Sequence, residues 1–252
     1  MKRIRGFSLI ELAIVLVIVT LLIGGLAVPL TAQIQARRIA ETKKTLEEAR
    51  EAVLGYAMTH PATAPATNRY LPCPDTDDDG VENRNVNDPD VCEAYSGWFP
   101  WVTLGTAPQD AWGNRLRYGV VNLFTWKNSG FSASAPLPPP AGFDPLVICT
   151  THSCPNADVA ADVVFVLLSD GPNSRGARNV NVPLGTATPA PPNIGADEFE
   201  NQDGDNIYVS RAPYKPADSS AIEAAKEFDD LVVWVSHAHL IARVCPTGCL
   251  PP

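Results

Sequence analysis

The feature that most constrains this chain is the stretch from Phe7 to Leu30, FSLIELAIVLVIVTLLIGGLAVPL, in which Glu11 is the single ionisable side chain. About 20 apolar residues at about 1.5 Å rise let a helix cross a hydrocarbon core about 30 Å thick. The stretch meets that length. Lys2, Arg3 and Arg5 precede it with no acidic residue among them, and such an excess of positive charge keeps its end of a spanning helix in the cytoplasm. The expectation is a single-pass membrane segment with a cytoplasmic N-terminus and the rest of the chain outside the inner face. A secretory signal peptide with a small-residue cleavage site near Ala32 is the rival reading. Its h-region would be unusually long, and a Glu inside it is unfavourable.

Glu11 needs an explanation of its own. An ionised carboxylate in a spanning helix costs about 2.5 to 3.5 kcal/mol on insertion scales, and such residues are usually paired or functional. Lying one turn from the start, it can snorkel to the interface, or it can find a positive partner. Gly6-Phe7-Ser8-Leu9-Ile10-Glu11 ahead of an unbroken apolar run resembles the cleavage and methylation motif of type IV prepilins and type II secretion pseudopilins. That resemblance implies cleavage after Gly6 by a prepilin peptidase and methylation of the new N-terminus at Phe7. It further implies that Glu11 pairs with the N-terminal ammonium of a neighbouring subunit. Pro29 stands one place later than the commonest family spacing. The partners implied are other pilin-like subunits, the prepilin peptidase and an inner-membrane assembly platform.

The same resemblance implies an α+β pilin-like fold, a long N-terminal helix packed on an antiparallel β-sheet with long loops. The expected divisions are a leader at 1–6, a membrane and filament-core helix at 7–30, an amphipathic half at 31–60 and a periplasmic acidic globular domain at 61–252. Setting aside Lys2, Arg3, Arg5 and Glu11 from totals of 19 basic and 28 acidic residues leaves 16 against 27 from Thr31 onward. An acidic exported part argues against nucleic acid as a partner, because phosphate contacts need a basic footprint.

Six cysteines fall into local pairs, Cys73 with Cys92, Cys149 with Cys154 and Cys245 with Cys249. An even count in an exported chain favours disulfides, and although six cysteines allow 15 pairings, locality favours these three. Zinc is the competing use, without a C-x2-C knuckle to support it.

From Thr31 to about Met58, Ile34, Ile39, Thr42, Leu46, Ala49, Val53 and Tyr56 recur at three- and four-residue steps and predict an amphipathic helix. A helix from Phe7 to Met58 would be a rod of roughly 75 to 80 Å at 1.5 Å per residue, with Gly24-Gly25 and Pro29 as places where it could bend. Prolines 61, 65, 72 and 74 end the pattern. Strands are expected at Trp98 to Leu104, Leu116 to Phe124, Leu146 to Cys149, Val163 to Leu168, Ile207 to Arg211 and Leu231 to Ser236. A short helix is expected within Ser219 to Phe228, and irregular loops at Asn128 to Phe143 and Asn179 to Asn193.

Asp110-Ala111-Trp112-Gly113-Asn114 followed by Tyr118 resembles a turn and strand of the major pseudopilins. Asp and Asn bond their own backbone in such turns, and glycine supplies the positive φ. Leu168-Ser169-Asp170-Gly171-Pro172 and Asp203-Gly204-Asp205-Asn206-Ile207 resemble the calcium-loop region of that branch, split by an insertion, and imply Asp170 and Asp205 as ligands. A separate acid run, Asp75-Thr76-Asp77-Asp78-Asp79-Gly80, matches positions one, three, five and six of a D-x-D-x-D-G loop. There Asp75, Asp77, Asp79 and Asn83 would be Ca2+ ligands, with Glu82 or Asp88 replacing the missing twelfth-position Glu. The alternative is a solvated acidic turn restrained by Cys73 and Cys92.

An anchored enzyme is the hypothesis from another class. Ser169, Asp229 or Asp230, and His237 or His239 could form a Ser/His/Asp set, but Ser169 lacks the Gly-x-Ser-x-Gly elbow. His237 and His239 would face one way on a strand. Arg37-Arg38 and Lys43-Lys44 could meet anionic lipid or DNA, or serve as the solvated side of the helix. The sequence therefore points to a structural subunit, minor or accessory, of a type II secretion pseudopilus, not an enzyme. A type IV minor pilin is the alternative, and a membrane-anchored periplasmic enzyme the remote one.

Overall fold

The computed structural model describes residues 8–133, 145–181, 195–218, 220–246 and 249, and the side chains of 23–29, 221 and 224 lie outside that description. The chain forms two compact units, residues 1–41 and 42–252. Helix α1, Leu9–Thr59, runs through the boundary. In the first unit, the described apolar side chains from Leu9 to Leu22 are exposed on every side of the helix, from 43% at Val19 to 90% at Leu9. In the second, Thr42, Leu46, Ala49, Val53, Tyr56 and Ala57 are buried. Their spacing sets them along one face. Ile34 of the expected stripe belongs to the first unit and is exposed.

The second unit is built round one long strand. Among the described residues its six strands are β1 (Ser96–Trp98), β2 (Arg117–Val120), β3 (Leu146–Cys149), β4 (Ala160–Ser169), β5 (Ile207–Val209) and β6 (Leu231–Ser236). Val163 to Ser169 are all buried. An apolar run without alternation is what a strand covered on both faces requires. Phe165 to Leu168 pair with β2 on one edge and with β6 on the other, both antiparallel. Val163 and Ala160 take β3 antiparallel on the β2 side, and β1 pairs antiparallel with β2.

The sheet is not wholly antiparallel as expected, because β5 pairs parallel with β3. A parallel partner needs a long crossover connection, and the chain between Cys149 and Ile207 supplies one. One core cluster joins Leu46, Val53 and Ala57 of α1 to Tyr118, Phe165, Leu167, Val235 and Leu240.

The expected strand Trp98 to Leu104 is half helix. Pro100 has no N–H for a ladder, and Trp101–Leu104 forms α2, closed by Gly105 at φ 65°. Likewise β2 ends at Val120, and Asn122–Thr125 is a 3-10 turn. Among the described residues two more short helices are α3 (Ala196–Glu200) and α4 (Ala221–Ala224). The last, α5 (His237–Val244), opens directly after β6 with Ser236 as its N-cap. Most of the two expected irregular loops, at 134–143 and 182–193, lies outside the described residues.

Candidate functional site

At the N-terminus, Gly6 and Phe7 lie outside the described residues, and the first visible feature is how α1 begins. The Ser8 N–H donates to Glu11 Oε2 at 2.9 Å, and the Glu11 N–H donates to Ser8 Oγ at 3.3 Å. This reciprocal pair is a capping box, which satisfies two of the amides that a helix start leaves without intrahelical partners. Ser-x-x-Glu was readable in the sequence as that signature, and it escaped notice behind the charge of Glu11. The Ser8 amide that reaches it is neutral, so the carboxylate still lacks a counter-charge within the described residues.

Among the described residues, no helix is long and apolar enough to cross a membrane. The described side chains of the apolar run stop at Leu22 and resume at Leu30, so its central part, 23–29, lies outside them. Arg37, Arg38, Lys43 and Lys44 are exposed. Lys44 pairs with Glu48 at 3.3 Å, and Glu47 takes Arg50 at 2.6 Å.

The acid run is a turn wound round a buried carboxylate. Asp75 Oδ1 accepts the N–H groups of Asp77 and Asp78 at 3.0 and 2.8 Å, and Oδ2 accepts that of Gly80 at 2.8 Å. Burial pushes the Asp75 carboxyl up and these amides oppose it. Gly80 sits at φ 86°, and a Cβ there would collide with the Trp101 ring, so both conformation and space demand glycine.

Around that centre further polar groups are engaged. Asp78 accepts from Arg115 at 3.0 Å and from Arg178 at 2.9 Å. Asn83 Oδ1 takes the Thr76 N–H, and Asp79 Oδ1 takes the Val81 N–H. One oxygen each of Asp75, Asp77 and Asp79 lies within 4.8 Å of the others. Glu82 turns elsewhere, to the Tyr56 hydroxyl, the Cys73 N–H and Arg84. Asp88 accepts the N–H of Asp90. Sequence reasoning missed Arg115 and Arg178, because nothing local in the sequence places them opposite Asp78.

The turn at Asp110 is a second network. Asp110 Oδ1 accepts the N–H groups of Trp112 and Asn114 at 2.8 and 2.9 Å, and Oδ2 accepts the Ser169 hydroxyl at 2.6 Å. Gly113 has φ 87°. Asn114, fully buried, donates to the Gly171 carbonyl and to Ser174 Oγ. The Ala111 N–H reaches Thr42 Oγ1 at 3.1 Å, which ties the turn to α1 as well as to the end of β4.

The same contacts dispose of the Ser/His/Asp set in the form expected. The Ser169 hydroxyl is committed to Asp110, while His237 packs against Phe124 at 5.7 Å between ring centroids. His237 and His239 stand on the first turn of α5 rather than on β6, where a two-residue step points side chains to different sides.

Asp170 is fully buried and paired with Arg117 at 2.9 Å. Asp205 is exposed and groups instead with Glu200 and Asp203, so Asp170 and Asp205 do not enter one carboxylate group of three or more among the described residues. Three disulfides join Cys73 to Cys92, Cys149 to Cys154 and Cys245 to Cys249.

Residues 1–27 match the prokaryotic N-terminal methylation motif. That motif marks prepilin-type pilins and pseudopilins, and it spans the basic leader, the Gly6-Phe7 junction, Glu11 and most of the apolar run. It supports a type IV pilin-like or pseudopilin subunit, implies anchoring in a membrane, assembly with other pilin-like subunits and processing by prepilin peptidase, and belongs to structural proteins. No curated protein and no solved structure matches the chain.

Proposed function

We propose that this chain is a minor or accessory subunit of a type II secretion pseudopilus, with a pilin-like fold and no catalytic role of its own. The observation that carries the reading is the match at residues 1–27 together with the apolar side chains from Leu9 to Leu22, which find no cover among the described residues. Lipid covers such a surface before assembly and the helices of neighbouring subunits cover it afterwards. An inner-membrane platform would draw the mature helix, starting at Phe7, into the filament, with the acidic domain periplasmic. Glu11, held near the helix start by its capping box with Ser8, would meet a neighbour's N-terminal ammonium. The echo of the major pseudopilins at Asp110 to Asn114 favours secretion over a type IV pilus. For residues 75–80 the reading adopted is a restrained acidic turn, and calcium binding there is the competing outcome.

N-terminal sequencing and intact mass of the membrane-extracted protein test this. The expected product begins at a methylated Phe7. A start at Gln33, or an intact Met1, overturns the reading. Glu11→Leu should insert normally, since it removes a penalty, yet be largely lost from filaments sheared off cells. Its normal incorporation would reject the ammonium pairing.

A further inference from the structure

Away from the N-terminus and the acid run, one carboxylate oxygen from each of Glu198, Asp229 and Asp230 lies within 4.8 Å of the others. Glu198 is 1% exposed and Asp230 5%. Amide donors hold one oxygen of each. Asn173 Nδ2 and the Asp229 N–H donate to Glu198 Oε1 at 2.8 and 3.2 Å, the Asn173 N–H donates to Asp229 Oδ2 at 3.1 Å, and Asn201 Nδ2 donates to Asp230 Oδ2 at 2.8 Å.

The opposite oxygens of two of them are bare. Glu198 Oε2 and Asp229 Oδ1 are buried and accept no hydrogen bond. A buried carboxylate oxygen without a donor costs the full desolvation of that atom, and here two such atoms belong to one group of three clustered carboxylates. The nearby cations are already engaged, Arg175 with Glu227 and Arg117 with Asp170. Gly171, at φ 64°, brings its backbone so close to Asp229 that a Cβ would collide with it.

We propose that Glu198, Asp229 and Asp230 bind a single hard divalent cation of the calcium class, through Glu198 Oε2, Asp229 Oδ1 and a carboxylate oxygen of Asp230. A donor set of oxygen alone selects calcium or magnesium over thiolate- and imidazole-seeking metals. Water and main-chain carbonyls complete the coordination that three carboxylates leave open. Asn173 and Asn201 play the part of outer-shell groups, each fixing a ligand by a hydrogen bond to one of its oxygens. Burial, ahead of every other cause, pushes Glu198 and Asp229 up to about 7 and Asp230 well above the usual carboxylate range, so protons are the rival occupants. The site shares no residue with Asp75, Asp77 and Asp79 and does not depend on the pilin reading.

Full-length protein in detergent micelles, stripped with a chelator, should be titrated calorimetrically with CaCl2 and melted with and without it. The wild type should take up an ion that the Asp77→Ala/Asp79→Ala variant also takes up. Asn173→Ala should weaken that binding by about 10- to 100-fold, and Glu198→Gln/Asp229→Asn should abolish it. In chelator the latter variant should melt at or above the wild type, since two desolvated charges are gone. In calcium the order should reverse. The absence of calcium heat and of a calcium-dependent melting shift in the wild type overturns the proposal in favour of protonated carboxyls. So does unchanged binding in the double variant. Should that variant fail to fold, the Asp77→Ala/Asp79→Ala chain decides alone, loss of the ion there refuting the site and retention supporting it.

Discussion

In the turn at 75–80, Asp75 gives both carboxylate oxygens to backbone amides and Asp78 gives both of its own to Arg115 and Arg178. Glu198 and Asp229 each give one oxygen to amides and leave the other buried and bare. The first region is denser in acids along the sequence, yet its buried charge is answered from within the chain. The second is assembled from α3 and the segment before β6, and its charge is answered only in part. Local crowding of acids is thus a poor guide to where a charge lacks a partner. What decides is whether the fold brings donors to each oxygen.

The largest effect expected from that comparison is at Asp75. Asp75→Ala removes the acceptor for the amides of Asp77, Asp78 and Gly80, and leaving these donors unanswered should cost about 3 to 5 kcal/mol. Urea unfolding monitored by tryptophan fluorescence measures it. A loss under about 1 kcal/mol would show that water replaces the carboxylate and that the turn is not organised round it.

Close behind is the disulfide that closes the loop holding this turn, Cys73 to Cys92. With a sequence separation of 19, replacing both cysteines by Ala should cost about 3 kcal/mol on the chain-entropy model. Peptide mapping without reductant checks the pairing itself.

The second region should announce itself through pH. Glu198 and Asp229, raised to about 7 by burial, hold protons in the folded chain that the unfolded chain has released above its ordinary carboxylate range. Between the two ranges the folded state binds more protons, so metal-free stability should be greatest near about pH 5 and fall as the pH rises to about 8. Thermal melts in chelator across that window test it. Calcium should flatten the decline, and Glu198→Gln/Asp229→Asn should remove it. A metal-free stability that rises over the window would mean the two groups are charged and satisfied in the fold.

The smallest effect is expected at Asp79, an exposed residue whose Oδ1 accepts the Val81 N–H. Asp79→Asn keeps an acceptor there and should change stability by no more than about 0.5 kcal/mol. A clear calcium-dependent difference between it and the wild type would show that the acid run, too, holds an ion.

What the sequence by itself determined was whatever rests on local pattern. The unbroken apolar run with its basic leader marked the N-terminal segment, and 3.6-residue spacing placed Thr42, Leu46, Ala49 and Val53 on the face of α1 that is buried. Runs of β-branched residues located β3 and β6 to the residue, and proximity paired the cysteines as they are joined.

The tertiary structure decided everything that depends on which distant groups meet. It set β5 parallel to β3, it committed Ser169 to Asp110, and it turned Asp78 toward two arginines. It also gathered Glu198 with Asp229 and Asp230 across some thirty positions of chain. The physical reason is one of range. Helical and strand periods, glycine turns and capping arise from neighbours within a few residues. Strand direction and the partner of a buried carboxylate are set instead by burial and by hydrogen bonds between segments that the sequence lists far apart.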